Sequence, residues 1–144
     1  MQIAEIMSQP VHTTQPDHTV KEAATLMGQA DLGALPVEDG DELVGMLTDR
    51  DLALRIVAQG LSSETTVGEA MSSEVLYCFD DDELETVAQN MADIQVHRLP
   101  VVNRDKRLVG IVALADIARV GGVEPAGVAV AGISDPTPQH SQSA

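Results

Sequence analysis

Cations are scarce in this chain. Lys and Arg total 8 against 23 Asp and Glu, for a formal net charge of −15. A phosphate backbone needs a basic footprint, so this balance argues against nucleic acid as a partner and leaves room only for a local basic pocket. Aromatic residues make up 1% of the sequence. That removes the stacking platform single-stranded nucleic acid needs and leaves core packing to aliphatic side chains and Met. Cys78 is the only cysteine, so no intrachain disulfide forms, which suits a reducing compartment. No run approaches the ~20 apolar residues of a membrane span. The N-terminus has neither the basic nor the apolar region of a signal peptide. A cytoplasmic protein without membrane association is expected. His12, His18 and His140 show no ligand spacing with Cys78 or with one another, so no metal site is expected. No nucleophile–base pair, paired catalytic carboxylates or metal cluster is visible, so an enzyme is not expected.

What the chain does have is an internal repeat. Glu5, Met7, Ser8, Val11 and Asp17 recur as Glu69, Met71, Ser72, Val75 and Asp81, an offset of 64. Ala24, Met27, Leu35, Pro36 and Val37 recur as Ala88, Met91, Leu99, Pro100 and Val101 at the same offset. After one inserted residue, Leu43, Val44, Gly45 and Asp51 match Leu108, Val109, Gly110 and Asp116 at offset 65. A single insertion in a turn is what a duplicated unit tolerates best.

Each repeat reads as strand, helix, strand, strand, helix, after a short lead-in. The first strands fall at 11–14 and 75–79. Val20, Ala23, Ala24 and Met27 lie at i, i+3, i+4, i+7, as do Leu84, Val87, Ala88 and Met91, the stripe of an amphipathic helix. Thr19 with Glu22, and Asp82 with Glu85, have the form of helix N-terminal pairs. Strands follow at 34–38 and 43–47 and again at 98–103 and 108–113. Helices close the repeats at 49–58 and 114–120. The expected organisation is a first unit over 1–64, a second over 65–122 and a mobile tail over 123–144, within which 128–133 could pack as an extended segment. One repeat of about 60 residues is marginal alone, so the two are expected to dock about a pseudo-twofold axis in an α+β fold.

The junction at Gly45-Met46-Leu47-Thr48-Asp49-Arg50-Asp51 concentrates the chemistry. A strand ends at Thr48 and a helix begins beside Asp51, an arrangement that favours an anion in front of it. Thr48 and Asp51 also have the form of a capping box worth ~1 kcal/mol; the two roles are compatible. In the second repeat Ala113 replaces the threonine while Asp116 remains, so the two sites are expected to be unequal. Pro36 and Pro100 cannot donate to a ladder and imply edge strands or strand starts. On that reading the backbone groups of Ala34, Leu35, Arg98 and Leu99 are free for a ligand; the alternative is that proline protects an edge from aggregation. Cys78 reads first as a small buried apolar residue, with a redox role as the alternative.

Leu35-Pro36-Val37 with Leu43 to Asp51, and His97-Arg98-Leu99-Pro100-Val101 with Leu108 to Val112 and Asp116, resemble the cystathionine-β-synthase (CBS) domain. The resemblance covers about residues 1–121, both repeats. It implies a stand-alone CBS-domain pair, or Bateman module, of two β-α-β-β-α units with two clefts between them. It further implies binding of an adenosine-containing ligand such as AMP, ADP, ATP or S-adenosylmethionine, with no cofactor required, and association into a homodimer. Regulation of a separate, unidentified protein target is implied as well, because no catalytic domain is attached. In the family Asp at positions 51 and 116 takes ribose hydroxyls, the hydroxyl at Thr48 contacts ribose or phosphate, and basic residues such as Arg50, His97 and Arg98 reach phosphate. Residues of the first strand, Thr13 and Tyr77, lie along the ligand path. Set against a sensor is a ligand-free interaction module whose apolar helix 52–57 builds a dimer or partner interface.

Overall fold

The computed structural model describes residues 1–121, 127 and 130–133. After a single 3₁₀ turn at Ile3–Glu5, the elements are α1 (Val20–Ala30), β1 (Ala34–Asp39), β2 (Glu42–Thr48), α2 (Asp49–Asp51, continuing as a wider π-helix over Leu52–Val57), α3 (Val67–Ala70), β3 (Cys78–Phe79), α4 (Leu84–Ile94), β4 (Arg98–Val102), β5 (Leu108–Ala113) and α5 (Leu114–Asp116, continuing as a π-helix over Ile117–Gly121). The widening rests on i→i+5 hydrogen bonds such as Ala58 N–H to the Ala53 carbonyl, 2.9 Å. It recurs at the same place in both repeats.

The chain forms two compact units, and they are not cut where the repeats are. One is His12–Val75; the other joins Met1–Val11 to the chain from Leu76 onward. Each unit therefore carries the lead-in of the opposite repeat. The 64/65 boundary follows sequence similarity, whereas the compact units follow the lead-ins.

In the His12–Val75 unit, the Thr19 hydroxyl caps α1 by accepting from Glu22 N–H at 3.1 Å, as the sequence pattern predicts. β1 and β2 pair antiparallel around Gly40, whose φ of 66° suits glycine. Thr14 adds a one-residue parallel bridge to Val37. Val20, Met27, Leu35, Leu47, Ile56 and Val67 form the core, each fully buried side chain contributing about 1.5–3 kcal/mol. The lead-in α3 is held by Ser72, which exchanges two hydrogen bonds with Met46 at 3.0 and 2.9 Å.

The other unit repeats this plan. β3 runs parallel to β4, and β4 antiparallel to β5. Its lead-in is the N-terminal segment: Ile3 and Ala4 N–H donate to the Asp82 and Asp80 carbonyls, both at 2.9 Å, and Ser8 N–H donates to the Ile111 carbonyl at 2.8 Å. The core gathers Ile3, Leu84, Met91, Leu99, Val101 and Ile117.

Three expectations are corrected. Asp82 does not cap α4; its carboxylate accepts from Phe79 N–H at 2.9 Å, closing the turn before the helix. Acidic side chains serve turns and caps by the same bond, so residue type alone does not separate them. Pro100 is not on an edge strand, because β4 is central in its sheet, whereas Pro36 lies on β1 of a two-stranded sheet whose open side carries only the one-residue Thr14 bridge. The Pro36 carbonyl accepts from Thr14 N–H, so the missing proline donor faces that same side, beyond the start of the short parallel pairing. Finally, residues 130–133 are helical rather than extended. Ile133 is buried, the Gln95 amide donates to the Gly132 carbonyl at 3.1 Å, and a Cβ on Gly132 would collide with Ala92. The remainder of the 123–144 expectation lies outside the described residues.

Candidate functional site

In each unit the start of one strand, the end of its neighbour and the start of a helix converge. In the His12–Val75 unit Ala34 lies opposite Thr48, and Leu35 opposite Leu47. Thr48 is buried at 5% exposure. Its N–H donates to Asp51 Oδ2 at 2.9 Å, and its hydroxyl accepts from Asp51 N–H at 3.1 Å. The capping box is thus complete, and it fixes the carboxylate. Asp51 Oδ1 accepts no hydrogen bond from the described residues; Arg55 Nε stands 3.8 Å away. Arg55 is meanwhile drawn toward the Ala70 and Met71 carbonyls, at 3.2 and 2.9 Å.

In the other unit Arg98 lies opposite Ala113. Ala113 has no side-chain acceptor, yet its N–H donates to Asp116 Oδ2 at 2.8 Å. Keeping a carboxylate here without a threonine therefore needs no ligand, because the backbone half of the box survives on its own. Arg119 closes on the second oxygen, Nη2 to Oδ1 at 2.9 Å. Asp116 has both oxygens hydrogen-bonded, whereas Asp51 has one.

The sequence candidates sort as follows. Ala34 and Arg98 share an edge with the proline carbonyls, because alternate residues of a strand face the same way. Their backbone groups lie past the short parallel pairing. Leu35 and Leu99 are engaged in the antiparallel ladder against Leu47 and Val112, which corrects the expectation that their backbone is free. Pro36 and Pro100 are buried beside them. Arg50 is exposed on the first turn of α2. His97 is half-buried, and its Nδ1 is the single buried side-chain N or O atom among the described residues without a hydrogen-bond partner. Thr13 is half-buried next to the Thr14 bridge. Tyr77 is exposed and packs edge-on against Phe79, with ring centroids 5.7 Å apart. Phe79 in turn lies under Arg104, 4.1 Å from its ring centre, and Arg104 grips Asp81 with bonds of 2.9 and 2.6 Å.

Cys78 is buried at 2% exposure. Burial, followed by the neighbouring Asp82 and Asp80, pushes its thiol up to about 12. A thiol held protonated in this way is a poor nucleophile, which supports the apolar-core reading. Sequence reasoning missed Asp49, Arg55 and Arg119 at these junctions. The repeat register held a signal for the first, since Asp49 aligns with Leu114 at offset 65.

The CBS-domain profile matches residues 3–58 and 67–122. The chain is 47% identical over 116 residues to the CBS domain-containing protein YhcV of Bacillus subtilis, covering 81% of this chain and 82% of that one. Among solved structures, Hypoxic Response Protein I with two coordinated zinc ions superposes with a TM-score of 0.76 at 38% identity, over 83% of this chain and 98% of that one. The CBS domain pair of protein MJ0100, in complex with 5′-methylthioadenosine and S-adenosyl-L-methionine, gives 0.74 at 30% identity, over 84% and 95%. CBSX2 in complex with AMP gives 0.71 at 28% identity, over 83% and 95%. Among the described residues, no three His, Cys, Asp or Glu side chains cluster as a metal site would require, and no helix is long and apolar enough to cross a membrane.

Proposed function

The chain belongs to the CBS-domain family, with two copies of the domain, and on that premise we propose that it is a cytoplasmic regulatory module. It senses an adenosine-containing ligand of the AMP, ADP, ATP or S-adenosylmethionine kind and signals to a separate protein. The observation that carries this reading is the Asp51 carboxylate. One oxygen is fixed by Thr48 N–H and the other accepts no hydrogen bond from the described residues. An ionised carboxylate in that state accepts the paired hydroxyls of a ribose. Ala34 in this unit, and Arg98 in the other, offer backbone groups for an adenine edge, and in the other unit the Arg98 guanidinium and the His97 imidazole are candidates for a phosphate. The bound ligands of MJ0100 and CBSX2 share the adenosine moiety.

Calorimetric titration with AMP, ADP, ATP, NAD and S-adenosylmethionine tests the proposal. Micromolar binding of at least one is expected. No binding at millimolar concentration sinks the sensor reading.

A second reading, a module that works through association alone, draws on a different observation. Leu54, Val57 and Leu61 are 48%, 75% and 51% exposed, beside a groove of about 460 Å³ lined by Val20, Ala24, Leu52 and Ile56. Apolar surface of this kind favours a partner. A homodimer is the expected occupant, and sedimentation at micromolar concentration should give twice the chain mass; a monomeric mass removes this reading.

A further inference from the structure

The two repeats place opposite chemistry at one position of the site. In the first repeat Gly33 has no side chain, and the Asp49 carboxylate lies over it: a Cβ there would sit 3.3 Å from Asp49 Oδ2. In the second repeat the matching residues are His97 and Leu114. The backbone frame is the same, since Asp49 N–H donates to the Gly33 carbonyl and Leu114 N–H to the His97 carbonyl, both at 2.9 Å. The imidazole of His97 thus leaves the chain at the point that a carboxylate overlies in the first repeat.

The surrounding charges sharpen the contrast. Around the second site stands Arg98, with Asp116 paired to Arg119 at 2.9 Å. Around the first stand Asp49 and Asp51, with Arg50 exposed on the same turn. Arg55 pairs with Asp51 at 3.8 Å and also donates to the Ala70 and Met71 carbonyls, leaving Asp49 without an arginine of its own. Asp49 is exposed, and among the described residues none donates a hydrogen bond to its carboxylate.

We infer that Asp49 makes the first repeat's site select against phosphate, so that this site takes an adenosine bearing no phosphate group while a phosphorylated ligand goes to the second. The inference rests on the adenosine reading above and deepens it. A phosphate close to a carboxylate is repelled even in water. An adenosine without phosphate has no such conflict.

Titrating AMP and adenosine into the full chain, as wild type, Asp49→Leu and Asp49→Asn, tests this. Leucine is what the second repeat carries at the matching position, and asparagine removes the charge at constant volume; thermal melts confirm that each variant folds. The wild type should bind AMP at one site per chain. Both substitutions should add a second AMP site, or tighten the weaker one, so that the ratio of AMP to adenosine affinity there rises about tenfold. Two equal AMP sites in the wild type overturn the inference but leave the adenosine reading standing. So does a ratio unmoved by both substitutions. If neither compound binds any variant, the adenosine reading fails and this inference with it.

Discussion

Gly45→Ala is expected to lower folding stability by about 2–3 kcal/mol, within the range of a side chain forced into a packed site. The glycine has no unusual φ; the constraint is space. A Cβ on Gly45 would stand 2.5 Å from Met71 Sδ and 2.9 Å from the Ser72 carbonyl oxygen. The methionine can swing aside, but the carbonyl belongs to the backbone pair that fastens Ser72 to Met46. The matching glycine makes an internal control. A Cβ on Gly110 would meet Met7 Sδ at 2.5 Å, Cγ at 2.8 Å and Cβ at 3.1 Å, all side-chain atoms. Gly110→Ala is therefore expected to cost about half as much. In double-mutant cycles, Met7→Ala should relieve most of the Gly110→Ala penalty, whereas Met71→Ala should leave most of the Gly45→Ala penalty in place. Thermal melts resolve these differences, at about 4 °C per kcal/mol for a chain of this size. Equal costs at the two glycines, both relieved by trimming methionine, would show that the Ser72 backbone gives way easily.

The second large effect concerns Asp51. Asp51→Ala is expected to weaken binding of the adenosine ligand tenfold or more, because it removes the oxygen available to ribose. It also strips Thr48 N–H of its acceptor in a buried setting, at a cost of about 1–3 kcal/mol in stability. Asp51→Asn separates the two, since its amide oxygen can still accept from Thr48 N–H; most of the melting temperature should survive while affinity falls. Asp116→Ala should damage stability at least as much, through the lost Ala113 bond and Arg119 pair. Its effect on binding should be smaller, because Arg119 already occupies the oxygen a ribose would use. Calorimetry of the three variants decides the matter, and equal losses of affinity for Asp51→Ala and Asp116→Ala would contradict the inequality of the two sites.

Local physics was the legible part of the fold. Apolar spacing located α1 and α4, the turn at Asp39-Gly40-Asp41 separated β1 from β2, the repeat offset carried both over to β4 and β5, and the Thr19–Glu22 cap needed four residues to recognise. The Thr48–Asp51 box was readable for the same reason. What could not be read depended on partners distant in sequence. The rule that confines proline to edges concerns its missing donor, and here that donor points past the end of a two-residue parallel strand, so a central position is tolerated. The widening of α2 and α5 leaves no trace in a spacing pattern, because the same apolar face serves both windings over so few residues. The helix at 130–133 is rich in small residues and shows no period; Gly132 sits there because Ala92 leaves no room for a side chain. At the site, Asp51 announced itself through the repeat, while Asp49 did so only through its mismatch with Leu114. Arg119 gave no warning, because its role follows from Asp116 being half-capped.

The crossing of lead-ins bears on the order in which the chain can be completed during synthesis. The unit His12–Val75 is one unbroken stretch, so every residue it needs has been made once Val75 is added. The other unit is split. Ile3 and Ala4 are made before the His12–Val75 unit, yet the carbonyls they bond belong to Asp82 and Asp80, and Ser8 waits for Ile111. Among the described residues, those at 1–11 have no long-range backbone partner until synthesis passes Asp80 and Asp82, and Ser8 has none until Ile111; the segment then closes a loop spanning the finished unit. Domains generally assemble in the order they are made, but here a segment made before the first unit docks only after it, and long-range closure of this kind is the slow kind.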